Sequence, residues 1–121
     1  MGKSVLLADD DQLLASLLNF RLKKGGYVVH HSANGKEVKE YLKNKMPDII
    51  VSDIMMPYCS GIELIDYVRN ELKSKTPIII ISSAGNEQNV LTAFELGAND
   101  FITKPVSPTE LLVRIAREIS K

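Results

Sequence analysis

Three consecutive aspartates, Asp9, Asp10 and Asp11, close the apolar run Val5–Ala8 in the segment VLLADDDQ. Like charges this close repel one another, and burial raises the cost of keeping them ionised unless a cation or hydrogen-bond donors compensate. One of the three has an ordinary use, since Asp11 stands where the N-cap of a following helix belongs. Capping needs a single acid, so the other two call for something positive. Further along the chain, similar apolar runs end on Asp53, on the pair Ser82-Ser83 and on Lys104-Pro105. Carboxylate oxygens are hard ligands that suit magnesium, while a hydroxyl and an ammonium group suit phosphate oxygens. These residue types together describe a site for a divalent cation and a phosphoryl group. Mg²⁺ between Asp10 and Asp53 would offset their repulsion.

For those residues to meet, the runs that carry them must lie side by side. Five runs have strand length: Ser4–Ala8, Tyr27–His31, Asp48–Ser52, Pro77–Ser82 and Asp100–Thr103. Three are almost continuously apolar, which suits strands covered on both faces. Segments of helical period separate them. Leu13, Leu14, Leu17, Leu18 and Leu22 form the first stripe, closed by Gly25-Gly26 as C-cap, and Val38, Tyr41 and Leu42 the second. Ile62, Ile65, Val68 and Leu72 form the third; Val90, Ala93, Phe94 and Leu96 the fourth; Leu111, Leu112, Ile115 and Ile119 the fifth. The last helix begins at SPTE, which reads as a capping box of Ser107 and Glu110 with Pro108 at the first helical position. Alternating strands and helices predict an α/β fold: a doubly wound, five-stranded parallel sheet joined by right-handed crossovers. Ligands in such sheets bind at the carboxyl ends of the strands, where the polar residues collect.

A chain of 121 residues has the size of one domain, so residues 1–121 are read as a single unit. Fifteen basic and fifteen acidic residues balance to zero, which points to neither nucleic acid nor a membrane surface as a partner. A lone cysteine, Cys59, excludes an internal disulfide and fits a reducing compartment. The apolar run near the N-terminus is too short for a signal peptide or a membrane span. A cytoplasmic location is the resulting expectation.

The segments LLADDD, DIIVSDIMMPYCSG, PIIIISSAG and GANDFITKP, in that order and spacing, resemble the receiver domain of two-component response regulators over the whole chain. The resemblance implies a flavodoxin-like fold with strand order 2-1-3-4-5. It implies Asp53 as phosphoacceptor, with Asp10, Asp53 and the main-chain carbonyl of Met55 as Mg²⁺ ligands and Asp9 acting through water. Lys104 would pair with the phosphoryl group, and Lys104-Pro105 would be a cis peptide. Ser82, 22 residues before Lys104, takes the position of the family's switch hydroxyl, although the adjacent Ser83 leaves a register alternative. Phe101 matches the aromatic that turns inward when that hydroxyl moves. Met56-Pro57 and Gly61 match the loop after the acceptor, where Gly61 allows a close backbone approach or a helix start.

Implied function follows the same resemblance: phosphoryl transfer to Asp53 from a histidine kinase or histidine phosphotransfer protein, switching a face made by the fourth helix, fifth strand and fifth helix. The output would be a downstream protein or an attached domain, as in transcriptional regulators. Asp100, Glu110 and Arg114 match positions that transcription-factor receivers use for homodimer salt bridges on that face, but Asn99, Val90 and Ala116 replace expected charges. Met55 and Ala84 offer no acid or amide to orient water, which implies slow self-dephosphorylation. His30 and His31, adjacent on a strand, face opposite sides and read as structural or surface residues. Cys59 reads as incidental. The main rival is an aspartate-nucleophile phosphatase, which resembles Asp-x-Asp at the nucleophile. Here Asp53-Ile54-Met55 lacks the second acid. A flavodoxin-like cofactor binder would want small or hydroxylated residues in place of DDDQ.

Overall fold

A computed structural model describes residues 2–83 and 85–121. Five parallel strands, β1 (Ser4–Ala8), β2 (Val28–Ser32), β3 (Ile49–Asp53), β4 (Ile78–Ser82) and β5 (Asp100–Thr103), form one sheet in the order β2-β1-β3-β4-β5. The expected doubly wound sheet is therefore present. β2 and β3 each begin and end one residue later than their apolar runs suggested, which makes Asp53 the last residue of its strand.

Helices α1 (Gln12–Lys24), α2 (Gly35–Leu42), α3 (Gly61–Asp66), α4 (Glu87–Leu96) and α5 (Pro108–Ile119) cover both faces. Every residue of β3 and β4 is buried, as continuous apolar strands require. Leu6, Ile50, Ile78 and Ile80 pack against Val38 of α2, Leu64 and Ile65 of α3 and Ala93 of α4. Val5, Leu7, Val51, Ile79 and Ile81 pack on the other face against Leu18 and Leu22 of α1 and Leu111 and Ile115 of α5.

Three local expectations are corrected. In α1 the buried stripe is Ala15, Leu18 and Leu22, whereas Leu13 is 83% exposed and Leu17 and Phe20 also face outward. A run so rich in leucine has apolar residues on every face, so periodicity alone does not choose the inner one. Ser107 does cap α5 by accepting from Glu110 N at 3.2 Å, but Glu110 gives its carboxylate to Arg114 at 3.1 Å and closes no reciprocal box. The reciprocal box is instead Ser60 with Glu63, which starts α3. The third helical segment, finally, widens into a π-helix over Tyr67–Glu71, where Leu72 N reaches Tyr67 O at 3.0 Å.

Arg69, inside that π-helical segment, was not marked by the sequence patterns. Its Nε and Nη2 donate to Gly97 O at 3.1 and 2.9 Å, Nη1 to Ser74 O and Thr76 O at 2.9 and 2.7 Å, and Nη2 also to Asn99 Oδ1 at 3.0 Å. Gly97 must stay glycine beside it: φ is +122°, and a Cβ would lie 2.9 Å from Arg69 Nε. Asn99, read as a missing interface charge, also accepts from Ile78 N at 2.8 Å, so its amide serves the fold. Arg69→Met keeps much of the stem but strands these acceptors. We expect a loss of about 2–3 kcal/mol, seen as a lower urea midpoint at unchanged slope. An unchanged midpoint would show that solvent replaces the guanidinium without cost.

Candidate functional site

Strand register assembles the site. Ala8 pairs with Ser52, Asp53 with Ile81, and Ser82 with Thr103, so Asp9, Asp53, Ser82 and Lys104 fall on one edge of the sheet. At that edge, Asp9, Asp10 and Asp53 each present a carboxylate oxygen within 4.8 Å of the others. Asp11 leaves the cluster: its Oδ1 accepts from Leu14 N at 3.1 Å as the N-cap of α1. Capping and clustering are thus divided between different residues of the acid triplet.

Asp53 is almost fully buried, with Oδ2 accepting from Lys104 Nζ at 2.9 Å and Oδ1 from Met55 N at 3.1 Å. Behind it, Gly61 N donates to Ile54 O at 2.9 Å, and a Cβ on Gly61 would lie 2.8 Å from Asp53 O. Glycine there permits both of the sequence expectations, a close approach and a helix start. Asp9 is fully buried; its Oδ1 accepts from Asp11 N at 2.9 Å, while Oδ2 has no hydrogen-bond partner among the described residues. Burial pushes the Asp9 carboxyl above its ordinary range, the charges of Asp53 and Asp10 add to the rise, and the Asp11 N–H and Lys104 oppose it. For Lys104, burial works to lower the pKa, but the hydrogen bond and charge of Asp53, with Asp9 and Asp11 behind it, hold it above the usual lysine value. A buried orphan oxygen and mutually repelling carboxylates fit a hard divalent cation.

Ser82 is buried and donates from Oγ to Ser83 O at 3.1 Å, while Ser83 is exposed. Both line a groove of about 360 Å³ with Leu91, Phe94 and Phe101. Phe101 is 36% exposed and meets Phe94 edge-on at 5.8 Å between centroids. The Lys104-Pro105 peptide is cis. Ala84, weighed above as a lifetime residue, lies outside the described residues; Met55 is exposed beside the acceptor. Asp100 is buried and bridges Arg114 at 2.7 Å and Arg117 at 3.1 Å, and Arg114 also holds Glu110, so all three named interface residues engage partners within the chain. Cys59 is buried against Gly35, and burial pushes its thiol pKa up, in keeping with an inert side chain.

The two histidines do face opposite sides. His30 stacks on Tyr41 at 4.3 Å, while His31 Nε2 lies 2.8 Å from the main-chain oxygen of Asp9. Contact between His31 and the acid cluster was missed, because nothing in sequence spacing links residues 22 apart across two strands.

Residues 5–116 match the family model described as the response regulator receiver domain, and the chain belongs to that family. Similar solved structures include the receiver domain of the Francisella response regulator 1452, with 32% identity, 98% of each chain covered and a TM-score of 0.91. A protein described as a response regulator from Chloroflexus aurantiacus J-10-fl matches over all of both chains at 30% identity and a TM-score of 0.93. Full-length FixJ from B. japonicum matches 98% of this chain over 58% of its own length, at 30% identity and a TM-score of 0.91. Receivers of this kind therefore occur within longer regulators. The family is one of signalling domains, and none of the helices is long and apolar enough to cross a membrane among the described residues.

Proposed function

We propose that the chain acts as one phosphorylatable receiver unit over residues 1–121, taking a phosphoryl group on Asp53 from a phosphohistidine of a kinase or phosphotransfer protein. The observation that carries this reading is the Asp53 carboxylate itself, held between the Lys104 ammonium and the Asp9–Asp10 pair at the carboxyl edge of the sheet. In the reaction a carboxylate oxygen of Asp53 forms the new O–P bond while the P–N bond of the donor breaks. The electron pair of that bond stays on the departing imidazole nitrogen, which takes its proton from solvent water. Lys104 turns its N–H groups to the phosphoryl oxygens as charge develops on them. Asp10, Asp53 and the Met55 carbonyl would hold Mg²⁺, with Asp9 acting through water, and the ion would neutralise phosphoryl charge. Leu13 and Leu17, exposed on α1 directly after the acid triplet, give a protein donor an apolar landing surface.

A dianion on Asp53 would then draw the Ser82 hydroxyl from Ser83 O, vacating space for Phe101 to turn inward. The face of α4, β5 and α5 is where a downstream protein, an attached output domain or a second copy would read that change. Asp100, Glu110 and Arg114 would serve a dimer there by exchanging their internal ion pairs.

The test is chemical. After incubation with acetyl phosphate and Mg²⁺, borohydride reduction of an aspartyl phosphate leaves homoserine, which peptide sequencing by mass spectrometry should find at position 53. Homoserine at Asp9 or Asp10 instead would contradict the assignment. Removing the donor before reduction gives the lifetime, which should be long, as Met55 supplies no group to orient water.

A further inference from the structure

We infer that His31 is a positioning residue for the acid cluster, fixing the Asp9–Asp10 peptide so that both carboxylates are aimed at Asp53 before any cation arrives; this rests on the metal site proposed above. A carbonyl oxygen only accepts, so the 2.8 Å contact requires the proton on His31 Nε2, and the ring donates to Asp9 O. That carbonyl belongs to the peptide joining Asp9 to Asp10. On the other side of the same residue, Asp9 N donates to Ser32 O at 3.1 Å. Both main-chain groups of Asp9 are therefore tied to β2, one through the ladder and one through the imidazole.

The imidazole is needed because the ladder stops there. β2 ends at Ser32, and Asn34 already turns to cap α2 by accepting from Glu37 N at 3.0 Å. Beyond Ser32 the strand has thus left the sheet, and a side chain reaches back to Asp9 in its place. Three carboxylates within 4.8 Å push the Asp9–Asp11 turn away from Asp53. Asp10 is exposed, so burial does little to resist that push. Without the ring, the turn relaxes outward in the metal-free protein, and binding a cation must first pull it back. Preorganisation of this kind appears in affinity, and loss of a ligand's outer partner typically weakens metal binding by roughly tenfold or more.

Calorimetric titration with Mg²⁺ on wild type, His31→Leu and His31→Gln, with thermal melts of each in EDTA, tests the inference. Gln can present an amide N–H where imidazole Nε2 stood, whereas Leu fills space without a donor. The expected result is a dissociation constant raised roughly tenfold in His31→Leu and largely restored in His31→Gln, with metal-free melting temperatures alike for the two variants. Leu binding within twofold of wild type, or Gln no better than Leu, would overturn the assignment. If His31→Leu does not fold, the comparison of Gln with His31→Ala decides in the same way. Wild type that shows no saturable Mg²⁺ binding would overturn the metal site itself, and the role of His31 with it.

Discussion

Lys104→Met is expected to slow Mg²⁺-dependent phosphorylation of Asp53 by acetyl phosphate at least about a hundredfold, the scale on which one preorganised electrostatic donor acts in a transition state. The lysine sits 2.9 Å from Asp53 Oδ2 in a site where the acceptor is almost fully buried, so its charge is poorly screened. Methionine keeps much of the apolar stem and removes only the ammonium. The acids it leaves behind then repel an incoming anionic donor with less to oppose them. Phosphoprotein formation followed by gel mobility over time gives the rate, and a variant within threefold of wild type would exclude Lys104 from the chemistry. Folding is affected in a separate range of pH. A lysine pKa raised above 10.5 contributes stability that is fully present below that value and is lost as pH rises through the folded value, so at neutral pH Lys104 keeps its charge.

Asp9→Asn should stabilise the metal-free chain and weaken its binding of Mg²⁺. In the folded chain the Asp9 carboxyl titrates above its ordinary value of 3.8. Its contribution to stability is therefore complete below 3.8 and lost as pH rises through the raised value, above which the carboxylate is a buried, repelled charge. Metal-free wild type should become more stable as pH falls through that raised value, the reverse of an aspartate held in a salt bridge. Asparagine can still accept from Asp11 N while discarding the charge, so the variant should gain about 1–2 kcal/mol at pH 7 in EDTA. Saturating Mg²⁺ should stabilise wild type and do far less for the variant. Melts in EDTA at pH 7 and at mildly acid pH, each repeated with Mg²⁺, check all three statements. A variant less stable than wild type at pH 7 without metal would mean that Asp9 is structurally required as an anion.

The sheet and the candidate pocket were largely legible because both rest on features that a linear pattern records. Short continuous apolar runs suit covered strands, and residues at the carboxyl ends of parallel strands share one edge; that placed Asp9–Asp11, Asp53, Ser82-Ser83 and Lys104 together, while the choice of Ser82 over Ser83 rested on the family resemblance. Side chains whose partners lie far away in sequence left no such trace. Arg69 donates to Gly97 and Asn99, and His31 donates to Asp9, across separations that no local spacing encodes. Leucines of α1 failed for another reason, since a helix apolar on several faces conceals which one packs inward. The Ser60–Glu63 box, by contrast, is spelled in SGIE as plainly as the pattern of Ser107 and Glu110 is in SPTE, and only the former closes. In the latter the carboxylate found a nearer cation in Arg114, and the local pattern yielded to an ion pair one turn along.

The central claim, that Asp53 is a metal-dependent phosphoacceptor, is tested most directly by the intact mass of the protein after incubation with acetyl phosphate and Mg²⁺, alongside an EDTA control and Asp53→Asn. One phosphoryl adduct that appears only with Mg²⁺ and is absent from Asp53→Asn is the predicted result. An adduct that persists in Asp53→Asn, or steady release of phosphate with no adduct on wild type, would contradict it.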